Sequence, residues 1–448
     1  MKKSLVLATL CGLVLNGNVA KAQKCAHDEL VQAAINSSPA KQAAYEQYEK
    51  ELNNRIQAFE QEKLLNGTNN KTTGSKYVIP VVFHVMLTQA QLDEIGGVSG
   101  MYSRIQTQMG VLNTDYNALN TETIPTAFAS LKGNPDITFG LAHTDPTGKG
   151  TIGYELVIKP ASFTGFDVGD GSAKKTSLGG LDPWNNKKYL NIWIFNITGS
   201  SSGKVLGYAY NPSLATNVIG DANLMGVCVD YRAYGRRTSS LQSFYASADK
   251  GRTMVHELGH YFTLNHIWGN TPVGSGNCSD DDGVSDTPPQ NDANQSTCPT
   301  FPKANCTGAT PGEMFMNYMD YVNDACMSMF SKGQVTRMQA DLTGSGGSAT
   351  LPSNTNLLGW PTSIATTEMQ ENLNIVPNPS NGAFTITYHD YIKSITIVNM
   401  MGQAIKQIAG TEQQSGAISV DMTGMSKGIY TVQCQYMEGV VSRKIVIE

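Results

Sequence analysis

Residues 256–266 read His-Glu-Leu-Gly-His-Tyr-Phe-Thr-Leu-Asn-His, and this run constrains the fold of the chain more than any other. His256 and His260 stand four apart in a stretch with helical character, expected from about Ser247 to Phe262, so both imidazoles leave one face of a helix. At that spacing two ring nitrogens can meet one zinc ion. Glu257 lies one residue on, rotated off that face. There it can take a proton from an attacking water rather than bind the metal. His266 is too far along for the same helix face, so the chain must end the helix and turn back to present it. Three protein ligands leave one position open, as a catalytic zinc requires. The chain has only 7 histidines, and a chance match to the first five residues is on the order of one in a hundred or less.

Composition narrows the partners. There are 32 Lys and Arg against 37 Asp and Glu, a formal net charge of -5, and 15% of residues are charged. A nucleic-acid binder shows a basic patch or stripe instead. With 40% hydrophobic residues the chain can build a core. The one long apolar run is at the start. Met1-Lys2-Lys3 is a basic n-region, Ser4 to Leu15 an apolar h-region too short to span a bilayer, and Ala20-Lys21-Ala22 a cleavage site. Residues 1–22 are expected to be a secretory signal peptide, with a short membrane anchor as the weaker alternative. No later segment is expected to cross a membrane, and export permits disulfides.

Helical spacing of Leu30, Ile35, Tyr45, Tyr48, Leu52, Ile56 and Phe59 predicts helix over 27–65. A polar linker follows. Residues 77–87 then form an apolar strand that should be buried on both faces. A helix is expected around Ile105 to Tyr116. Strands are expected over 137–142, 189–197, 205–210 and 226–231, and a closing helix over 333–342. Between them, 270–312 is loop-like. The last 77 residues alternate in the pattern of a small β-sandwich.

Without Cys11, which leaves with the signal, 7 cysteines remain: Cys25, Cys228, Cys278, Cys298, Cys306, Cys326 and Cys434. The count is odd, so one stays unpaired or pairs between chains. The four from Cys278 to Cys326 allow three pairings, or a structural zinc site, although no C-x-x-C spacing occurs. Asp280, Asp281, Asp282 and Asp286 form an acidic loop. An EF-hand frame set by Gly283 fails, because Pro289 falls where the bidentate acid belongs. Cys228 and Cys434 sit in apolar strands and read as inert buried thiols.

The zinc run, with Asn317-Tyr318-Met319-Asp320-Tyr321 downstream, resembles the metzincin pattern of motif and Met-turn. The blocks HELGH…NHIWG, GVSDTPPQ and NYMDYVNDACMSMFSKGQVTRM are similar to the pappalysin family, including its ulilysin-like members, over about 77–342. The resemblance implies an α+β catalytic domain: a twisted mixed sheet, an active-site helix and a loop-rich lower subdomain. It implies a zinc endopeptidase made as a zymogen, with Glu257 as base, Tyr321 steadying the tetrahedral intermediate and Met319 as a hydrophobic floor. It places Asp324 in the pocket for the residue after the scissile bond, hence cleavage before Arg or Lys. It implies disulfides Cys278–Cys306 and Cys298–Cys326, and calcium at Asp286 with the carbonyls of Val284 and Thr287. Cys25 falls where such zymogens carry a Cys-Gly whose thiolate fills the open zinc position, though here Ala26 replaces the Gly. A lone reactive thiol or an intermolecular disulfide competes with that role; lipidation lacks its motif. There is a second departure: the motif glycine is Thr263, and a β-branched residue resists the left-handed backbone that swings the third histidine round.

Residues 372–448, from Val376-Pro377-Asn378-Pro379 to the final Arg443-Lys444-Ile445-Val446-Ile447, are similar to the sorting domain of the type IX secretion system of Bacteroidota, an Ig-like sandwich. A surface-binding sandwich is the alternative. The expected division is signal peptide 1–22, propeptide 23–75, catalytic domain 76–345, linker 346–371 and sorting domain 372–448. Protein or peptide substrates and the secretion machinery are the expected partners, with no nucleic acid. The rival to a peptidase is a non-catalytic, zinc-binding surface adhesin on the same fold. Glu257 argues against it, since a structural zinc needs no base.

Overall fold

The computed structural model describes residues 25–65, 77–358 and 373–448, apart from 201–202, 241, 296, 309, 389–391, 402, 411–415 and 437–439. The expected signal peptide and the expected polar linker at 66–76 lie outside the described residues.

Two helices open the chain, α1 (His27–Asn36) and α2 (Pro39–Leu65). The single helix expected over 27–65 is broken at Ser37-Ser38. Pro39 has no N–H to donate and suits a first helical turn, so it begins a new helix. Strand β1 (Tyr77–Thr88) is buried along nearly its whole length. It is an interior strand of a six-stranded sheet with β2 (Ile137–Leu141), β3 (Tyr154–Lys159), β4 (Leu190–Phe195), β5 (Gly207–Tyr210) and β6 (Gly226–Asp230). The order is β2-β1-β4-β6-β5, and β3 pairs with β1 from Phe83 to Thr88, beyond the stretch that pairs with β2. All pairings are parallel except β5 with β6, which is antiparallel and leaves β5 on the edge. β3 was not expected from the sequence: it is only partly buried and carries Glu155 and Lys159, so no apolar run marks it.

Helices α3 (Gly97–Asp115) and α4 (Arg252–Tyr261) share one core with Ile79, Val81, Phe83 and Val85 of β1. The side chains that alternate with these turn to the opposite face. There Met86, Trp193 and Phe195 share a second core with Val31, Ile35, Tyr48 and Leu52 of α1 and α2. Helix α5 (Lys332–Asp341) opens with a capping box between Ser331 and Gln334. The described part of the expected linker is not free chain. Leu351 and Leu357 are buried, and the Leu358 side chain lies where a Cβ on Gly140 would stand. Apolar leucines in a polar stretch made this part of the body.

The C-terminal part holds two antiparallel sheets. One runs β11 (Gly416–Asp421), β8 (Ala383–Tyr388), β7 (Leu373–Val376). The other runs β10 (Ala404–Ala409), β9 (Ile392–Asn399), β12 (Gly428–Tyr436), β13 (Val440–Ile447). Ile386, Val420, Ile395, Val432 and Cys434 lie in one apolar cluster drawn from both. Among the described residues no helix is long and apolar enough to cross a membrane.

Candidate metal centre

Helix α4 carries the first two histidines, and all ten of its residues are buried. Its start is pinned by charge. Arg252 bonds Asp115 at 3.1 Å, Glu122 at 2.6 Å and the Asp324 carbonyl at 2.9 Å. The Asp324 carboxylate in turn accepts from the Lys250 and Arg252 amides at 3.1 and 3.0 Å. Negative charge there opposes the positive end of the helix dipole. Asp324, expected to line a substrate pocket, is thus fully buried and serves α4 as a cap.

The helix ends at Thr263, which adopts φ 72. The backbone therefore takes the left-handed turn that glycine makes without strain, and the chain doubles back to His266. The three Nε2 atoms converge: His256 to His260 and to His266 are 3.1 Å, and His260 to His266 is 3.0 Å. Each Nδ1 is already committed. His256 donates to the Tyr318 carbonyl at 2.7 Å and His260 to the Leu264 carbonyl at 2.8 Å. His266 pairs with Asp28 Oδ2 at 2.6 Å. These partners accept, so the protons sit on Nδ1 and three Nε2 lone pairs face one another. Burial holds the His260 and His266 imidazoles neutral: the His260 pKa is well below its ordinary value, and that of His266 is pushed down to about 3. Three buried lone pairs with no proton between them fit a cation, and nitrogen donors of this kind suit zinc.

The fourth donor is Cys25. Its sulfur and the three Nε2 atoms all lie within 4.8 Å of one another, and among the described residues no other group of three or more His, Cys, Asp or Glu converges in this way. The thiol lies 3.3 Å from Glu257 Oε2. Burial, and then the neighbouring Glu257, raise its pKa; a cation among the imidazoles would reverse that and favour thiolate. The N-terminal segment holds the thiol in place. The Ala26 amide donates to the Gly207 carbonyl at 3.2 Å, and His27 stacks on His260 with centroids 4.1 Å apart. The Tyr321 hydroxyl donates to the Cys25 carbonyl at 3.0 Å.

Two glycines permit this crowding. A Cβ on Gly207, on edge strand β5, would stand 2.7 Å from the Glu257 carboxylate. A Cβ on Gly259 would run into the Met319 sulfur. The Met319 turn is itself fixed by Asn317, which accepts from the Met319 amide and donates to Gln334. Gly207→Ala should therefore displace Glu257 and leave the histidines alone. The expected result is a fall in peptide cleavage of about tenfold or more, the scale of a misplacement near 1 Å. Zinc content measured alongside should not change.

The loop region is stapled by Cys278–Cys306 and Cys298–Cys326, with Cα separations of 5.5 and 5.6 Å. Cys25, Cys228 and Cys434 are buried and take part in neither disulfide. At the expected calcium loop, Asp286 already bonds the Ser331 hydroxyl at 2.6 Å and the Gly333 amide at 2.9 Å. The Val284 carbonyl accepts from the Thr287 amide and hydroxyl. Asp28, His27, Gly207 and Trp268, which stacks on His266 at 4.4 Å, were not anticipated as site residues. Asp28 and Trp268 sit inside motifs that attracted notice, but nothing local ties them to a ring nitrogen far along the chain.

Comparison with known proteins comes to the same place. The family profile described as Pregnancy-associated plasma protein-A matches residues 180–343, and one described as Secretion system C-terminal sorting domain matches 374–448. An extracellular metalloprotease of Neurospora crassa is 30% identical over 261 residues, 58% of this chain and 73% of its own length. One from Sordaria macrospora is 29% identical over 263 residues, with the same coverage. Among solved structures, a promirolysin variant of Tannerella forsythia is 34% identical, covering 75% of this chain and 98% of its own, with TM-score 0.62. Mirolysin in complex with a compound is 38% identical over 64% of this chain and all of its own, with TM-score 0.56.

Proposed function

The chain belongs to the pappalysin family of metzincin metallopeptidases and ends in a type IX secretion sorting domain, and from that premise we propose how its residues divide the work. It is a metalloendopeptidase, related to extracellular enzymes and to a zymogen. The sorting domain marks it for export to the cell surface or beyond. The observation that carries the proposal is the set of three Nε2 lone pairs with a thiol and Glu257 beside them.

His256, His260 and His266 hold the catalytic zinc, which when bound supplies Lewis acidity to the scissile carbonyl and to the attacking water. Glu257 takes the proton from that water and returns it to the leaving amine. Tyr321 donates to the substrate carbonyl oxygen, the contact its hydroxyl now makes with the Cys25 carbonyl. In the latent chain Cys25 fills the position that water and substrate need. Met319 is the floor.

The division we propose is signal peptide 1–22, pro-segment 23–75, catalytic unit from 76 to Leu358, a short linker, and an Ig-like sorting sandwich at 372–448. Activation is a cut in 66–76, after which α1 and α2 must leave. Calcium on Val284, Asp286 and Thr287 belongs to the same proposal, and it would share Asp286 with Ser331 and Gly333.

Asp324, whose buried carboxylate also accepts from the Lys250 and Arg252 amides, is the proposed selector of Arg or Lys after the scissile bond, through charge attraction in a desolvated pocket. The test is digestion of a complex peptide mixture by the activated full chain, with sequencing of the new N-termini. Termini beginning with Arg or Lys should dominate, and Asp324→Asn should remove that excess while cleavage persists. New termini without a basic excess would remove Asp324 from the pocket and keep the peptidase.

A further inference from the structure

Thr263 is the residue that departs from the family motif, and the fold accommodates it at a cost. It is a β-branched residue at φ 72, where a side chain crowds its own backbone. It is 2% exposed, and its hydroxyl is buried without a hydrogen-bond partner. The side chain therefore gives the turn no local support. The turn also lies between two metal-ligand candidates: the Leu264 carbonyl accepts from His260 Nδ1, and His266 follows two residues later.

One outside group reaches it. Arg337 of α5, 3% exposed, donates its Nε–H to the Thr263 carbonyl at 2.6 Å, across 74 residues of sequence. This charge-assisted bond fixes the peptide plane that follows Thr263. The Leu264 amide of that plane is held from the other side by the Gly259 carbonyl at 2.9 Å. The rest of the guanidinium is caged. Gly283, at φ 71, lets the backbone lie close to Nη1, and Glu49 of α2 comes within 3.8 Å of Nη2. Asp282 also lies within reach of this charge: burial pushes its carboxyl up to about 7, and the hydrogen bonds from Thr287 and Val284 and the Arg337 charge oppose that rise.

We propose that Arg337 is a positioning residue for the metal centre: it holds the Thr263 turn in its left-handed form and so keeps His266 on the metal. A glycine at 263 would need no such support. This rests on the zinc assignment made above. It predicts that the need for Arg337 depends on what stands at 263.

The test is a double-mutant cycle in the full chain with Arg337→Met, Thr263→Gly and both. Two quantities are read: zinc affinity by competition with a chromophoric chelator, and thermal midpoint in excess EDTA. Arg337→Met should weaken zinc binding about tenfold or more beside Thr263, the scale of losing an outer-shell partner. In the Thr263→Gly background the loss should shrink to less than about threefold, and the metal-free midpoint should show the same asymmetry. Cobalt in place of zinc gives a visible spectrum that should shift in Arg337→Met and return with Thr263→Gly added. Equal losses in both backgrounds would overturn the proposal and make Arg337 a general bolt of the fold. If Arg337→Met does not fold, Arg337→Lys runs the same cycle, since it keeps the charge and loses the directed Nε–H. A parent chain that binds no zinc would overturn the zinc assignment, and the metal-free midpoints would then decide the coupling by themselves.

Discussion

Glu257→Gln should leave zinc content and thermal midpoint near those of the parent and lower kcat/KM for peptide cleavage about 10²- to 10⁴-fold, the range a positioned general base supplies. Glu257 is fully buried and lies on α4 between the histidines, yet it is not among the four converging donors. Its carboxylate is confined by Gly207 on one side and meets the Cys25 thiol on the other. It therefore stands where the nucleophile must approach once the pro-segment has left. Glutamine keeps the shape and cannot take a proton. The measurement is a pair of progress curves on the activated chain and its variant, at equal zinc loading. A variant that keeps more than about a tenth of parent activity would fall outside the general-base range and send the proton elsewhere.

Cys25→Ala should do the reverse, and to the uncut chain. The thiol is the one pro-segment donor within 4.8 Å of all three Nε2 atoms. Removing it takes away a metal ligand while the surrounding contacts persist: the Ala26 amide on Gly207, His27 on His260, and Asp28 on His266. Full-length Cys25→Ala should then cleave peptides at least about tenfold faster than the full-length parent, the factor that about 1.4 kcal/mol of lost inhibition carries. After a cut in 66–76 and release of α1 and α2, the two should be indistinguishable, because Cys25 leaves with the pro-segment. Both rates can be read from one substrate before and after activation. A full-length variant as silent as its parent would mean that the backbone and ring contacts of residues 26–28 enforce latency without the thiol.

Much of this was legible in the sequence because it is local. The four-residue spacing of His256 and His260 is a property of one helix, and α4 realises it over Arg252–Tyr261. The long apolar run became β1, and the alternation near the end became strands whose every second residue is buried, as in β12. The misplacement of Thr263 was visible too: a residue that resists positive φ stood where positive φ was needed, and it has φ 72. The break at Ser37-Ser38 and strand β3 were missed for equally local reasons, a proline read through and a strand too polar to announce itself.

What only the tertiary structure decided is who meets whom. Asp28 reaches His266 across 238 residues, Cys25 reaches Glu257 across 232, and Tyr321 reaches Cys25 across 296. Asp324 accepts from the amides that open α4, a contact no motif in the sequence announces. Gly207 and Arg337 have no motif of their own, since their roles lie in the space left for Glu257 and in a carbonyl at Thr263. Spacing along the chain encodes contacts made within one turn of a helix or one pleat of a strand. Contacts between distant segments are set by how the sheet and its helices pack, and that packing is a sum over the whole core.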